Sequence, residues 1–561
     1  MAAGSRDAEV CAMQEKPQES HGNELPPCVS EFVRTVAGKI RYRRKVREDV
    51  QAELTAHFED ELWDVTDPTE REKRAKQLIE GFGDVELLAV LCRRAKKRCR
   101  PAWAKTLIRS LQAAAVFVVL LDLYVLWFIS GRPDVTVDYL ARLNLVSQPQ
   151  IAEADNAWPH YERAMTLFVS DDRLMSVPAY DHPEYPEHRN PAALTQDACE
   201  AIAQWIAANR TAWEEFVLAG SKPYFAESYR CSGEGDSRWL MNVRLSELST
   251  LQHLSKLAIW SSRMHAEQGR FGQALETCLV LARAGRHWQQ AGLIVEQLVG
   301  TGLSRKAHEE ILAIVSRQKL SSAELAELQK RLAAVYLGPY PMLNIEEERL
   351  LFLDTVQRLF TEGGPGGGHM SPSRARDIGV HIDDQGRTLS RAAAFLHAGR
   401  DETVAKACEI LNLQDEIVKM SPYERRAAGM REDVALASLD ERRYAVVRML
   451  IAGMDRPADL AFRVRALHEA TLAIVALQRH RQERGAYPGA LDQLKQGGFL
   501  DTLPTDPYSN GLLVYRAAGD NFVLYSLGPD FDDDGGISGV DSEGRIRMWA
   551  DSGDTVFWPV P

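Results

Sequence analysis

Apolar residues recur at Val46, Val50, Leu54, Phe58 and Leu62, a four-residue interval that puts one stripe on one face of a helix. Asp67-Pro68-Thr69-Glu70 follows. Its order predicts a helix start, with a side-chain acceptor at the N-cap, a proline in the first turn and an acid at N3. That helix is expected to run to about Glu80 and to break at Gly81-Phe82-Gly83-Asp84, with a last helix leading into a basic run. Between Ser110 and Gly131 the polar positions disappear, and about twenty residues carry a single charge, Asp122. As a helix, that length spans a bilayer.

The flanks of this stretch orient it. Arg93, Arg94, Lys96, Lys97, Arg98, Arg100, Lys105 and Arg109 precede it, whereas Arg132 and Asp134 follow. The positive-inside rule places the N-terminus in the cytoplasm and everything after Gly131 outside it. Met1 to Pro27 is polar, so residues 1–28 are expected to be a disordered tail and no cleavable signal peptide is expected. Asp122 is costly in lipid and suits an anchor helix that self-associates.

Beyond the membrane the pattern is helical as far as residue 454. Leu245, Leu248, Leu251, Leu254 and Leu257 recur every third position, so the stripe drifts by about 60° per step and the helix must be touched on several sides. Ala266 to Leu275 reads as a helix end, a glycine C-cap at Gly269 and a new helix start. This turn is similar to the inter-helix turn of tetratricopeptide-type repeats, but only one good copy is present, and an array needs about three. The expectation is a helical domain of packed antiparallel pairs, with a flexible loop near 363–388 opened by Gly363-Gly364-Pro365-Gly366-Gly367-Gly368.

From residue 455 the pattern changes. Asp455 and Pro457 start a helix, Leu460, Val464, Leu467, Thr471 and Ile474 form its stripe, and it ends near Gly485. Two strands, Leu512 to Arg516 and Phe522 to Leu527, flank a hairpin turn at Ala517 to Asn521. The predicted fold is multidomain and mainly α. It comprises a cytoplasmic helical domain (29–100), one transmembrane helix (107–131), a helical extracytoplasmic domain (132–454) and a C-terminal α+β domain (455–561).

Charge adds one feature. The 561 residues carry a net charge of -12, and from Asp501 to the end eleven acids face three arginines. Like charges so close repel, which excludes nucleic acid as a partner there and favours a bound cation. The densest part, Asp530-Phe531-Asp532-Asp533-Asp534-Gly535-Gly536-Ile537-Ser538-Gly539-Val540-Asp541, puts oxygens at loop positions 1, 3, 5, 7, 9 and 12, with glycine at 6. A hard divalent cation takes six to eight oxygens, and this spacing supplies most of them. Calcium is the expected cofactor. Asp530, Asp532 and Asp534 would give carboxylates, Gly536 its carbonyl, Ser538 a hydroxyl or a water and Asp541 the closing carboxylate, with Asp533 pointing outward. The alternative is an acidic, glycine-rich turn without a metal.

Two resemblances sharpen this reading. Glu53-Leu54-Thr55-Ala56-His57-Phe58-Glu59-Asp60 with Gly81-Phe82-Gly83-Asp84 resembles the small helical prefix domain of bacterial permeases and signalling proteins. That implies a cytoplasmic protein-interaction module in which His57 is a packing residue. The long helix, then Tyr487-Pro488-Gly489-Ala490-Leu491-Asp492-Gln493-Leu494, Leu503-Pro504-Thr505-Asp506-Pro507-Tyr508-Ser509-Asn510-Gly511 and the acidic loop, resembles the globular domain of the major pseudopilin of type II secretion systems. That family implies calcium beside the sheet, carried over to Asp530, Asp532, Asp534 and Asp541. The chain departs from it in placing the membrane helix more than three hundred residues earlier, which puts polymerisation into a filament in doubt.

No zincin helix, nucleophile elbow, phosphate-binding loop or dinucleotide fingerprint occurs, since His308-Glu309 and His468-Glu469 lack a second histidine. No enzyme is expected. The eight cysteines form no Cys-x-x-Cys, and the pairing of Cys199, Cys231, Cys278 and Cys408 is left open. Asp181-His182-Pro183-Glu184-Tyr185-Pro186-Glu187-His188 carries metal-compatible residues but reads as a solvated loop. The expected protein is a bitopic component of the bacterial inner membrane that binds envelope partners in secretion or filament assembly. The alternative is a signalling protein whose outer domain senses a ligand and whose prefix domain engages a cytoplasmic regulator.

Overall fold

In the computed structural model, residues 24–98, 102–147, 151–171, 194, 196–232, 238–243, 245, 247–336, 338–375 and 393–560 are described. Helices dominate them, and a three-stranded antiparallel sheet lies near the C-terminus. The chain divides into two compact units, residues 1–125 and 126–561.

The first unit is built from α1 (Pro27–Lys39), α2 (Arg44–Glu61), α3 (Pro68–Gly81) and α4 (Val85–Arg98). The stripe of α2 is its buried face. Val50, Leu54 and Phe58, with Leu62 beyond its end, pack against Val29, Phe32 and Val36 of α1 and Ala75 and Ala89 of α3 and α4. The Asp67 carboxylate accepts the Glu70 amide at 3.1 Å, the N-cap that the sequence predicts. Gly83, at φ +68°, turns the chain from α3 into α4. His57 stands edge-on to Phe82 with ring centres 5.6 Å apart. Of the expected tail, 1–28, residues 1–23 lie outside the described residues; residues 24–26 lead into α1, and Pro27 and Cys28 belong to its first turn rather than to a tail.

Helix α5 (Ala102–Ser130) follows. Its stretch Lys105–Ser130, 26 residues, is long and apolar enough to cross a membrane, with only 6% of its most apolar part buried. At 1.5 Å per residue it measures about 39 Å against a hydrocarbon core of about 30 Å.

The second unit takes up the last turn of α5. The Phe128 ring stacks between His369 and Phe395, at 4.1 and 4.2 Å. His369 Nε2 donates to the Phe128 carbonyl at 2.9 Å, and Ser371 Oγ to that of Gly131 at 3.0 Å. The glycine run at 363–368 folds back so that the Thr361 amide meets the His369 carbonyl at 2.9 Å. The later part of the loop expected near 363–388 lies outside the described residues.

Helices α6 (Tyr139–Ser147), α7 (Trp158–Leu167), α8 (Gln196–Ala208) and α9 (Arg210–Gly220) lead to three long helices, α10 (Glu247–Glu267), α11 (Phe271–Gln289) and α12 (Ile294–Arg317). The every-third-residue leucines of α10 are buried at 248, 251, 254 and 257, as drift of the stripe requires. Gly269, at φ +71°, makes the expected turn into α11. After α13 (Ser322–Ala333), α14 (Glu346–Leu359) and α15 (Arg400–Ile417), three short helices, α16 (Pro422–Ala428), α17 (Glu432–Ala437) and α18 (Ala445–Leu450), precede α19 (Asp455–Arg484). Helix α19 begins and ends where its pattern predicts, with Gly485 left-handed at its C-cap.

Helix α20 (Asp492–Gln496) precedes the sheet, in which β1 (Val514–Ala518) pairs with β2 (Asn521–Ser526), and β2 with β3 (Thr555–Trp558). The first pair is in the register Val514 to Tyr525 and Ala518 to Asn521, around the expected hairpin turn. One hydrophobic core runs from Ala157 and Tyr161 through α10 to α13, on through Leu467, Ile474 and Leu477 of α19, and into Phe522, Phe557 and Trp558 of the sheet. It crosses the boundary that the sequence pattern places at residue 455.

Candidate cation-binding site

The acidic loop leaves the end of β2 and is held from below. Asp506, 3% exposed, accepts Ser526 Oγ at 2.6 Å and the Leu527 amide at 3.1 Å, which fixes where the chain leaves the sheet. Asp530 then accepts the Gly553 amide at 2.6 Å and the Asp532 amide at 3.3 Å. The start of the loop is thus tied to the residue before Asp554.

Asp554, just ahead of β3, organises the middle. Its Oδ2 accepts the Gly536 amide at 2.7 Å. Its backbone pairs in parallel with Ser538, receiving the Gly539 amide at 3.0 Å and donating to the Ile537 carbonyl at 2.9 Å. The residue is 1% exposed, yet its Oδ1 has no hydrogen-bond partner. Burial raises its carboxyl above the usual range, the backbone amides of Gly536 and Asp534 draw it partly back, and the charges of Asp533 and Asp534 push it up again. An enclosed carboxylate oxygen without a donor beside two further carboxylates is the arrangement that a cation relieves.

The other acids are placed as follows. Asp532 and Asp534 are exposed in the loop. Asp533, expected to point outward, accepts Tyr525 Oη at 2.7 Å and the Gly535 amide at 2.9 Å and faces Arg516 at 3.3 Å. These hydrogen bonds and the guanidinium hold its carboxyl low. Asp541 closes a separate small turn in which Val540 pairs with Ile546. It accepts the amides of Glu543 and Arg545 and the Arg545 guanidinium at 2.9 to 3.0 Å, which hold it low in turn. The structure therefore brings Asp530, Gly536 and Ser538 together around Gly553 and Asp554, and gives Asp541 to Arg545. Among the described residues no three His, Cys, Asp or Glu side chains stand close enough to form a ready cage for a metal. Asp554 is the residue that spacing could not find, because the pairing of β3 brings it to the loop from 18 positions beyond Gly536.

Buried polar groups lie elsewhere in the second unit as well, among them two clusters with shifted titration. Glu296 accepts Tyr229 Oη at 2.5 Å and the Leu293 amide at 3.0 Å and is hydrogen-bonded by Glu227. Glu347 and Glu348 adjoin it at the start of α14, where burial raises both and brings Glu347 to about 7. His308 on α12 and His468 on α19 are 0% and 4% exposed and meet at 2.8 Å. His308 Nδ1 donates to the Ser304 carbonyl, so His468 Nδ1 donates to His308 Nε2 and both rings are neutral. Burial depresses both, His308 to about 4. Cys231, Cys278 and Cys408 are free thiols. The Asp181 to His188 segment lies outside the described residues. No protein-family model, curated protein or solved structure matches the chain.

Proposed function

We propose that the chain is a single-pass membrane protein with its N-terminus in the cytoplasm, whose outer helical domain is a non-catalytic interaction protein of the bacterial envelope, related to secretion. Its C-terminal sheet, in this reading, is a calcium-stabilised, pseudopilin-like element. The observation that carries the reading is Lys105–Ser130, a membrane-length helix whose apolar side chains are exposed almost throughout, Phe128 near its end being the buried exception, behind a run of cations. Support for the metal is the unpartnered Oδ1 of Asp554 under the acidic loop. Asp530, Asp532, Asp534, Gly536, Ser538 and Asp554 would hold the ion, and Asp541 joins them only by giving up Arg545.

Both parts are open to test on the full chain. Membrane fractions washed with alkaline carbonate should retain the protein, and a C-terminal tag should be protected from protease until the outer side is opened. Release by carbonate would remove the anchor and the reading with it. In nanodiscs, calcium should raise the melting temperature over chelator, as a ligand bound only by the folded state does. Asp554→Asn and the double variant Asp532→Ala, Asp534→Ala should each abolish the rise. An equal rise in all three proteins would mean that the ion binds elsewhere.

A further inference from the structure

Helix α4 has two apolar faces and only one core. Ala89, with Leu88 and Cys92 beside it, packs into the four-helix unit. On the other side Leu87, Val90 and Leu91 are 58%, 43% and 52% exposed. At 100° per residue these three fall within about 100° of one another, and Arg94 lies on the same stripe one turn on. Arg93 and Arg94 are exposed as well. An apolar stripe that runs into arginines is the pattern of a helix lying in a lipid–water interface, aliphatic side chains among the acyl chains and guanidinium groups among phosphates.

The covalent chain decides what can cover this stripe. Helix α4 ends at Arg98 and α5 begins at Ala102, so at most about 14 Å of chain separates them. Trp103, 68% exposed, opens α5 two residues before the apolar stretch, at the level where tryptophan settles in membranes. With α5 across the bilayer, the Arg98 end of α4 stays beside the headgroup layer, within reach for the stripe to lie down in it.

We propose that α4 docks in the leaflet that receives the N-terminal end of α5, its Leu87–Val90–Leu91 stripe in the acyl boundary and Arg93 and Arg94 on anionic headgroups. The four-helix unit is then held flat against the membrane by its last helix. The proposal rests on α5 crossing the bilayer, and the test separates the two.

Spin labels at Leu87→Cys, Leu91→Cys, Phe117→Cys and Glu80→Cys, each in full-length protein with the eight native cysteines replaced by serine, would be read in nanodiscs containing phosphatidylglycerol. The quantity is the ratio of collision with oxygen, which favours lipid, to collision with a water-soluble nickel chelate. Expected is a ratio at 87 and 91 several-fold above that at 80 and close to that at 117, falling when Arg93→Glu and Arg94→Glu are added or the lipid is made neutral. A high ratio at 117 with 87 and 91 as wet as 80 overturns the docking and leaves the anchor standing. A wet 117 overturns the anchor. Labels at 87 and 91 shielded from both reagents and broadened by one another would assign the stripe to a second copy and overturn lipid docking.

Discussion

Buried ionisable residues set how the second unit responds to acid and base. His308, held near 4 by burial against an unfolded value of about 6.5, binds its proton more readily when unfolded. Its contribution to stability is full above about pH 6.5 and is lost as pH falls towards 4, by up to about 3 kcal/mol. His287, also held near 4 by burial, acts in the same direction. Urea midpoints should therefore fall between pH 6.5 and 5, and less steeply in His308→Gln. Glu347 has the opposite sign. Raised to about 7, it costs stability as pH rises from 4.5 to 7, so Glu347→Gln should stabilise at pH 8 by at most about 3 kcal/mol and not at pH 4.5. A Gln variant no more stable at pH 8 would show that Asn344, which donates to Glu347 at 2.8 Å, already supports the charge.

Among elements, the tightest fit is between α11 and α12. A Cβ at Gly300 would lie 2.5 Å from the Trp288 backbone and 2.7 Å from the Gly285 carbonyl. The two helices touch backbone to backbone, and Gly300→Ala should cost about 3 kcal/mol or more because neither backbone can move aside. Gly302, two residues on in the same helix, has nothing within 4 Å, and Gly302→Ala should gain about 0.5–1 kcal/mol from helix propensity. Thermal melts of the two variants check both signs. Much of the architecture was legible at this scale. Asp67, Gly269 and Gly485 act locally, through caps and turns of a few residues, and so could be read from the sequence. Stripes at 46–62 and 460–474 likewise declared their buried faces. Helix α1 went unread, although Val29, Phe32, Val33 and Val36 carry its stripe. Asp554 and β3 could not be read, because their roles come from strand pairing. The meeting of His308 with His468, 160 positions apart, follows from the packing of α12 on α19 and has no local signal.

For the whole molecule, the C-terminal segment is a wall of the main core. Leu467, Ile474 and Leu477 of α19 and Phe557 of β3 are each 1% exposed or less. Removing residues after 454 should therefore unfold the helical domain, read as loss of the cooperative melt and of protease resistance in residues 132–454. Survival of a sharp melt would instead make the segment a separable module. Loss of function on such a deletion would say nothing about the calcium loop, which only single-residue variants such as Asp554→Asn can address.

The single core joining Ala157 to Trp558 also bears on how the protein is made. Helices emerging early from the ribosome have apolar faces whose partners are translated last, about four hundred residues later. At roughly ten residues per second that is a wait of more than half a minute. During that interval the half-built domain presents Leu254, Leu281 and Leu312 with no finished core to enter. A chain with this connectivity is open to aggregation for as long as its C-terminal strands are unmade, so its biogenesis, more than its final stability, is where its yield is expected to be lost.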